Sequence, residues 1–243
     1  MNDKELLKKR ISELYSRAYE RGYNTFSDFL NMEEQSIAQS LNLPCSSFGG
    51  YENAERVVFG FGDDIKSEDF PICCIKIQPL QQKFADKLSH RDFLGSIMNL
   101  GINRSTLGDI IIDDNSAFLF CLESIADYIA DSLSRVKHTS VKCERTGALD
   151  EIKIKEPEKK EIIVSSLRAD ALISAVYKLS RNEVNSLFLQ NLVFINSKSI
   201  SKSSAFLKEN DVVSVRHKGR FIFCGELRKT KKEMLFVCVK FFE

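Results

Sequence analysis

The chain has 243 residues, 43% of them apolar and 28% charged, with a formal net charge of +1. That length suits two or three small domains with ordinary packed cores. No apolar run approaches the roughly 20 residues that span a bilayer, and the charged opening Asp3-Lys4-Glu5 does not read as a secretory signal, so the sequence predicts a cytoplasmic protein without a membrane segment.

Residues 1–68 are predicted as an N-terminal helical segment. Leu7, Ile11, Leu14 and Ala18 recur at helical spacing over residues 4–20, and Gly22 stands where a helix ends. A second helix is expected from Thr25, packing Phe26, Phe29 and Leu30. A third is expected after Asn31, whose partner in a capping box is Glu34. The pair Gly49-Gly50 then has two open readings: a loop that lets an RNA backbone or a neighbouring domain approach closely, or a plain turn into the strand Val57-Val58-Phe59. It is not a phosphate loop, because the spacing to a Gly-Lys-Ser/Thr is absent.

Residues 69–146 alternate strand and helix signals. A strand at Ile72–Ile77 precedes a helix opened by Ser89 and Asp92 and closed by Gly101. Strands follow at Gly108–Ile112 and Ala117–Cys121 around the turn Asp113-Asp114-Asn115. A helix marked by Ile125, Ile129 and Leu133 leads to a last strand at Ser140–Glu144. The order β-α-β-β-α-β is that of ferredoxin-like domains, RRM domains among them. Only Phe118 and Phe120 could serve there as an RRM-type stacking pair, and helices are expected to cover that face instead. Residues 147–164 are expected to form a solvated linker of balanced charge.

The C-terminal part, 165–243, concentrates the basic charge. From Ser165 onward there are 14 Lys+Arg against 7 Asp+Glu, a net of +7, while the preceding 164 residues carry a net of −6. Leu167, Ala171, Leu172, Ala175 and Val176 line one helix face. Ser180 and Glu183 form a capping box for a second helix that turns Val184, Leu187 and Phe188 inward. Asn191 would leave that helix in a left-handed conformation. Short strands follow around Val193 and Ile195, a turn at Asn196-Ser197, and Val213 and Val215, ahead of Arg216, Lys218 and Arg220. Two short helices feeding small strands, with basic residues at each junction, resemble the S4 RNA-binding module. Asn191 and Asn196-Ser197 stand where that module usually has Gly or Asn-Gly.

Such a surface binds structured RNA by shape and phosphate recognition. Arg168, Lys178, Arg181, Lys198, Lys202, Arg216, Lys218 and Arg220 are the candidate phosphate partners. Ser180 and Asn182 are candidates for phosphate or the 2′-hydroxyl, and the start of the second helix could add backbone N–H groups. Arg181 is the leading candidate because it follows the cap directly.

Gly49-Gly50-Tyr51 with Ala54-Glu55-Arg56, His90-Arg91-Asp92-Phe93-Leu94-Gly95, Leu100-Gly101-Ile102 with Gly108-Asp109-Ile110, and Ser165-Ser166-Leu167-Arg168 together resemble the YlmH family of bacterial S4 proteins. The resemblance implies an α+β protein with an N-terminal helical segment, a ferredoxin-like middle domain and a C-terminal S4 domain. It also implies rRNA and tRNA on the large ribosomal subunit as partners, in the rescue of stalled subunits carrying peptidyl-tRNA.

No catalytic constellation is legible. His90, His138 and His217 are far apart in sequence, and Asp113-Asp114 reads as a turn rather than a metal site. The seven cysteines, Cys45, Cys73, Cys74, Cys121, Cys143, Cys224 and Cys238, form no Cys-x-x-Cys pair and read as buried reduced thiols. The expectation is a monomeric non-enzyme without a cofactor. The rivals are a protein-interaction adaptor, whose binding would be less sensitive to salt, and an RNA-modifying enzyme, which would leave a mass change on its RNA.

Overall fold

The computed structural model describes residues 3–147, 158–230 and 233–242. It is an α+β protein of two compact units, Met1–Ile154 and Lys155–Glu243.

The first unit opens with α1 (Asp3–Arg21), which closes where Gly22 takes φ +66° and donates its N–H to Ala18 O. Then follow β1 (Thr25–Leu30), α2 (Met32–Gln39), β2 (Ser46–Phe48) and β3 (Val57–Phe61). The Asn31 cap of α2 is complete: Asn31 Oδ1 accepts from the N–H groups of Glu33 and Glu34, and Glu34 accepts the Asn31 N–H at 2.7 Å. Thr25–Leu30, expected as a helix, is a strand. It pairs antiparallel with β3 in a three-stranded sheet of order β1-β3-β2. The spacing of Phe26, Phe29 and Leu30 does suit a helix, but cross-strand pairing prevails. Thr25 Oγ1 donates to Leu14 O, and Ser27 Oγ accepts the Phe59 N–H. The segment 1–68 is therefore helical only in part.

After it come β4 (Ile72–Pro79), α3 (His90–Met98), β5 (Leu107–Asp113), β6 (Ser116–Leu122), α4 (Glu123–Ser132), β7 (Arg135–Val136) and β8 (Thr139–Thr146). The strands form an antiparallel sheet of order β5-β6-β4-β8-β7. Its two faces have different covers. Ile75, Ile77, Leu119 and Cys121 pack with Phe93, Ile97, Ala126 and Ile129 of α3 and α4. On the other face Cys74, Phe118 and Phe120 pack against Phe29 of β1 and Val58 of β3. The cover over Phe118 and Phe120 is thus the N-terminal sheet, not the expected helices. The far face of that small sheet, with Leu30, Phe59 and Phe61, is closed by Ile11 and Ala18 of α1 and Ala38 of α2. Helices, small sheet, large sheet and helices stack as layers of one unit. Burying aromatics such as Phe29, Phe118 and Phe120 contributes about 2–3 kcal/mol each relative to exposure.

The second unit contains β9 (Glu158–Val164), α5 (Ala169–Tyr177), α6 (Arg181–Leu189), β10 (Val193–Ile195), β11 (Lys198–Ser199), β12 (Val212–Val215), β13 (Gly219–Lys229) and β14 (Leu235–Phe242). Its sheet runs β11-β10-β12-β13-β14-β9. Residues 158–164, expected as the end of a linker, are strand β9, paired with β14 along its whole length. Four charged residues open this strand and three apolar ones close it, so it lacks the alternation of a half-buried strand, and its pairing partner lies about seventy to eighty residues later. The remainder of that expected linker, apart from Gly147, lies outside the described residues. Leu172, Ile173, Val184 and Phe188 of α5 and α6 pack on Val193, Val213, Val215 and Phe221 of the sheet.

Among the described residues all seven cysteines are free. Cys73, Cys74 and Cys121 are buried, and desolvation pushes the Cys74 thiol up to about 12. Cys45, expected to be buried, is exposed. Among the described residues no helix is long and apolar enough to cross a membrane.

Candidate nucleic-acid interface

The basic residues of the second unit are positioned by three local devices. The first is the turn from α5 to α6. Lys178 takes φ +53°, and the Leu179 N–H reaches back to Ser174 O at 3.0 Å, a Schellman closure that throws the Lys178 side chain into solvent. The second is the cap of α6. Ser180 Oγ accepts from the Glu183 N–H at 3.3 Å, while Glu183 Oε2 accepts from the Ser180 amide at 2.8 Å and hydroxyl at 2.6 Å. Arg181 and Asn182 follow at once and are exposed. The third is the turn between β12 and β13, where His217 at φ +66° carries the chain from Arg216 to Lys218.

These devices meet. The Arg216 N–H bonds to Leu192 O at 2.9 Å, just past the end of α6. Glu183 is held below the usual carboxylate range by the hydroxyl and amide of Ser180, with the charge of Lys218 acting in the same direction. Lys178, Arg181, Asn182, Arg216 and Lys218 therefore gather around α6 and the β12–β13 turn.

Four expectations change. The Ser180 hydroxyl is committed to Glu183, so Ser180 builds the cap and has no proton left for RNA. The Glu183 carboxylate already occupies the positive end of α6, so the expected role of the helix N-terminus is taken by the protein's own cap. Arg220 pairs with Ser214 and alternates with Phe221, which faces α5 and α6; Arg220 thus lies on the sheet face away from the helices. Arg168 stands at the other end of α5 from Lys178, about 15 Å away at 1.5 Å per residue. It is clamped by Asp170, with Nε to Oδ1 at 3.0 Å and Nη2 to Oδ2 at 2.5 Å. Lys202 accompanies Arg168, since the neighbouring Ser203 O accepts the Asp170 N–H at 3.2 Å. Lys198 is exposed on the edge strand β11, opposite Ile195 and so on the helix-bearing face.

The two replacements of glycine are accommodated. Asn191 takes φ +54°, with the Leu192 N–H bonding to Leu187 O. Asn196 and Ser197 take φ +49° and +62°, the conformation of a two-residue I′ turn. Asn196 is held further by Asp211, which accepts its Nδ2 proton at 2.8 Å, and it accepts the Val212 N–H at 2.9 Å.

Sequence reasoning assigned no role to a second constellation, in the first unit. Asp109 accepts from Tyr51 Oη (2.8 Å), Glu55 N–H (2.6 Å) and Arg56 N–H (3.1 Å). The Arg56 guanidinium donates to the carbonyls of Leu107, Phe29 and Arg104, and Arg104 donates to those of Leu107 and Gly108. Burial, and then Arg56, bring Arg104 down to about 10. Burial and the adjacent Arg104 also push the His90 imidazole below its ordinary value. Gly50, at φ +98°, lies against Phe120, and a Cβ there would sit 2.2 Å from the ring; Tyr51 stacks on the same ring at 5.1 Å. The close approach that Gly49-Gly50 permits is therefore to the protein's own core. The motifs Gly49-Gly50-Tyr51, Glu55-Arg56 and Gly108-Asp109 form one clasp between β5 and the loop ahead of β3. Their partners lie some fifty residues apart, so no local spacing reveals it. Among the described residues no group of three or more His, Cys, Asp or Glu could hold a metal ion.

Residues 66–150 match a family described as "Putative RNA-binding domain in YlmH". The chain is 29% identical over 218 residues to the Bacillus subtilis (strain 168) protein named ribosome-associated protein quality control protein P2, covering 85% of this chain and 83% of that one. The solved structure of cell division protein ylmH from Streptococcus pneumoniae aligns with a TM-score of 0.50 at 22% identity, over 63% of this chain and 96% of that one; at this identity the likeness concerns the fold alone. The three matches agree in pointing to YlmH proteins as the family this chain resembles.

Proposed function

We propose that this is a cytoplasmic, monomeric, non-enzymatic RNA-binding protein of ribosome-associated quality control. In this reading the second unit is an S4 domain that grips rRNA and tRNA on the large subunit where peptidyl-tRNA is stalled. Residues 69–146 form a ferredoxin-like domain whose sheet face is unavailable for base stacking, because Phe118 and Phe120 are closed beneath β1 and β3. The observation that supports the reading is that Lys178, Arg181 and Asn182 cluster at the start of α6, where Lys218 acts on Glu183, while Arg216 of the same β12–β13 turn is tied just past the end of α6. Side chains from two separate turns then neutralise phosphates of a folded RNA while its bases go unread. The name of the Bacillus subtilis relative supplies the ribosomal setting.

Filter binding to ribosomal RNA across a salt series tests this. Arg181→Ala should weaken binding at least as much as any other single Arg or Lys change in the unit and reduce the salt slope by about one. Unchanged affinity and slope would refute the assigned face.

A further inference from the structure

A second feature of the same unit concerns bases rather than phosphates. Phe206 is 71% exposed although it is a large aromatic side chain. Its backbone is held on both sides: the Ala169 N–H bonds to Ala205 O at 2.8 Å, and the Leu207 N–H to Leu167 O at 2.9 Å. Leu207 is buried in the core, so alternation along this short extended stretch turns Phe206 outward. Phe206 is therefore presented to solvent by a pinned backbone. Directly opposite it in an antiparallel bridge stands Arg168. Opposed residues of such a pair share one side, with Cβ atoms about 5 Å apart. The guanidinium of Arg168 is itself fixed by its two bonds to Asp170. Lys202 and Lys208, both exposed, stand to either side in sequence.

The geometry points to Phe206 as a stacking platform for an unpaired nucleobase, with Arg168 beside it to hold the adjoining phosphate or ribose hydroxyl. A planar apolar ring next to a fixed planar cation matches a splayed-out base and its backbone. A base taken up here would lie at the opposite end of α5 from the phosphate cluster. The unit would then grip a stem at the start of α6 and an unpaired nucleotide at the start of α5. This deepens the phosphate-binding reading above and rests on it.

The test uses the full chain and two fluorescein-labelled RNA hairpins with the same stem. One carries an ordinary single-stranded loop, the other the same loop made abasic. Affinities are measured across a potassium chloride series. Phe206→Ala should weaken binding to the ordinary hairpin about ten-fold and leave the salt slope unchanged, because no ionic contact is lost. Phe206→Tyr should bind like the wild type, and Phe206→Leu, which keeps the apolar bulk but not the ring, should behave like Phe206→Ala. On the abasic hairpin all four proteins should be equal. Thermal unfolding midpoints should coincide for all four, since the side chain contributes little to the core. If the wild type binds with a steep salt slope and Phe206→Ala binds as tightly, or if Phe206→Leu retains full affinity, stacking is overturned while phosphate binding stands. If wild-type binding is indifferent to salt, the phosphate reading falls, and this proposal with it.

Discussion

Replacing Asp109 by Ala removes the acceptor that ties the Gly49–Arg56 loop to β5. Three donors lose their partner at once, the Tyr51 hydroxyl at 2.8 Å and the amides of Glu55 and Arg56 at 2.6 and 3.1 Å. A donor stripped of its partner costs about 1–3 kcal/mol when buried. The Tyr51 and Arg56 donors are half-buried and the Glu55 amide is exposed, so the lower end applies to the first two and the sum is about 2 kcal/mol. Burial lowers the proton affinity of both guanidiniums, Arg56 lowers that of Arg104 further, and Asp109 opposes the shift in both; removing Asp109 takes away counter-charge, so the electrostatic change acts in the same direction. Asp109→Asn keeps one carbonyl oxygen and should lose about half as much. The chain has no tryptophan, so urea unfolding is best followed by circular dichroism together with tyrosine fluorescence, to which the stacked Tyr51 contributes. For a unit of this size the Ala variant should melt about 4–8 °C lower than the wild type. A cooperative Asp109→Ala protein with unchanged urea midpoint and m-value would show that the loop is held by packing alone.

Gly50→Ala should destabilise the same unit by about 2–4 kcal/mol, since φ +98° is strained for an L side chain and the new methyl would meet the Phe120 ring; the thermal midpoint reads this out. Phe29→Ala, opening the layer between the two sheets, should cost about 3–5 kcal/mol in urea melts. The Glu183 carboxylate is depressed by the Ser180 cap and Lys218, so its contribution to stability is present above its unfolded value of about 4.3 and is lost as pH falls through the lower folded value. Glu183→Gln should flatten that part of the pH–stability curve, and an unaltered acid limb would contradict the cap. With a maleimide under native conditions Cys45 should label first, and Cys74 and Cys121 only on unfolding; rapid native labelling of Cys121 would disprove its burial.

Chemistry confined to a few consecutive residues was legible without any structure. Asn31 with Glu34, Ser89 with Asp92 and Ser180 with Glu183 form caps because each pair lies within a single helical turn. Asn191 and the pair Asn196-Ser197 adopt positive φ because Asn and short polar residues tolerate it where a turn demands it. Such signals were enough to place α5, α6 and the strands after them, and with them Arg181 and Lys218. What depended on a distant partner was not legible. Thr25–Leu30 is a strand because β3 lies beside it, and Glu158–Val164 is a strand because β14 does. The cover over Phe118 and Phe120, the clasp on Asp109, and the face on which Arg220 emerges are likewise set by pairing between segments tens of residues apart. A strand's register and the layer that buries it depend on the whole assembled sheet, so only the tertiary structure could decide which cations share a surface with α6 and which do not.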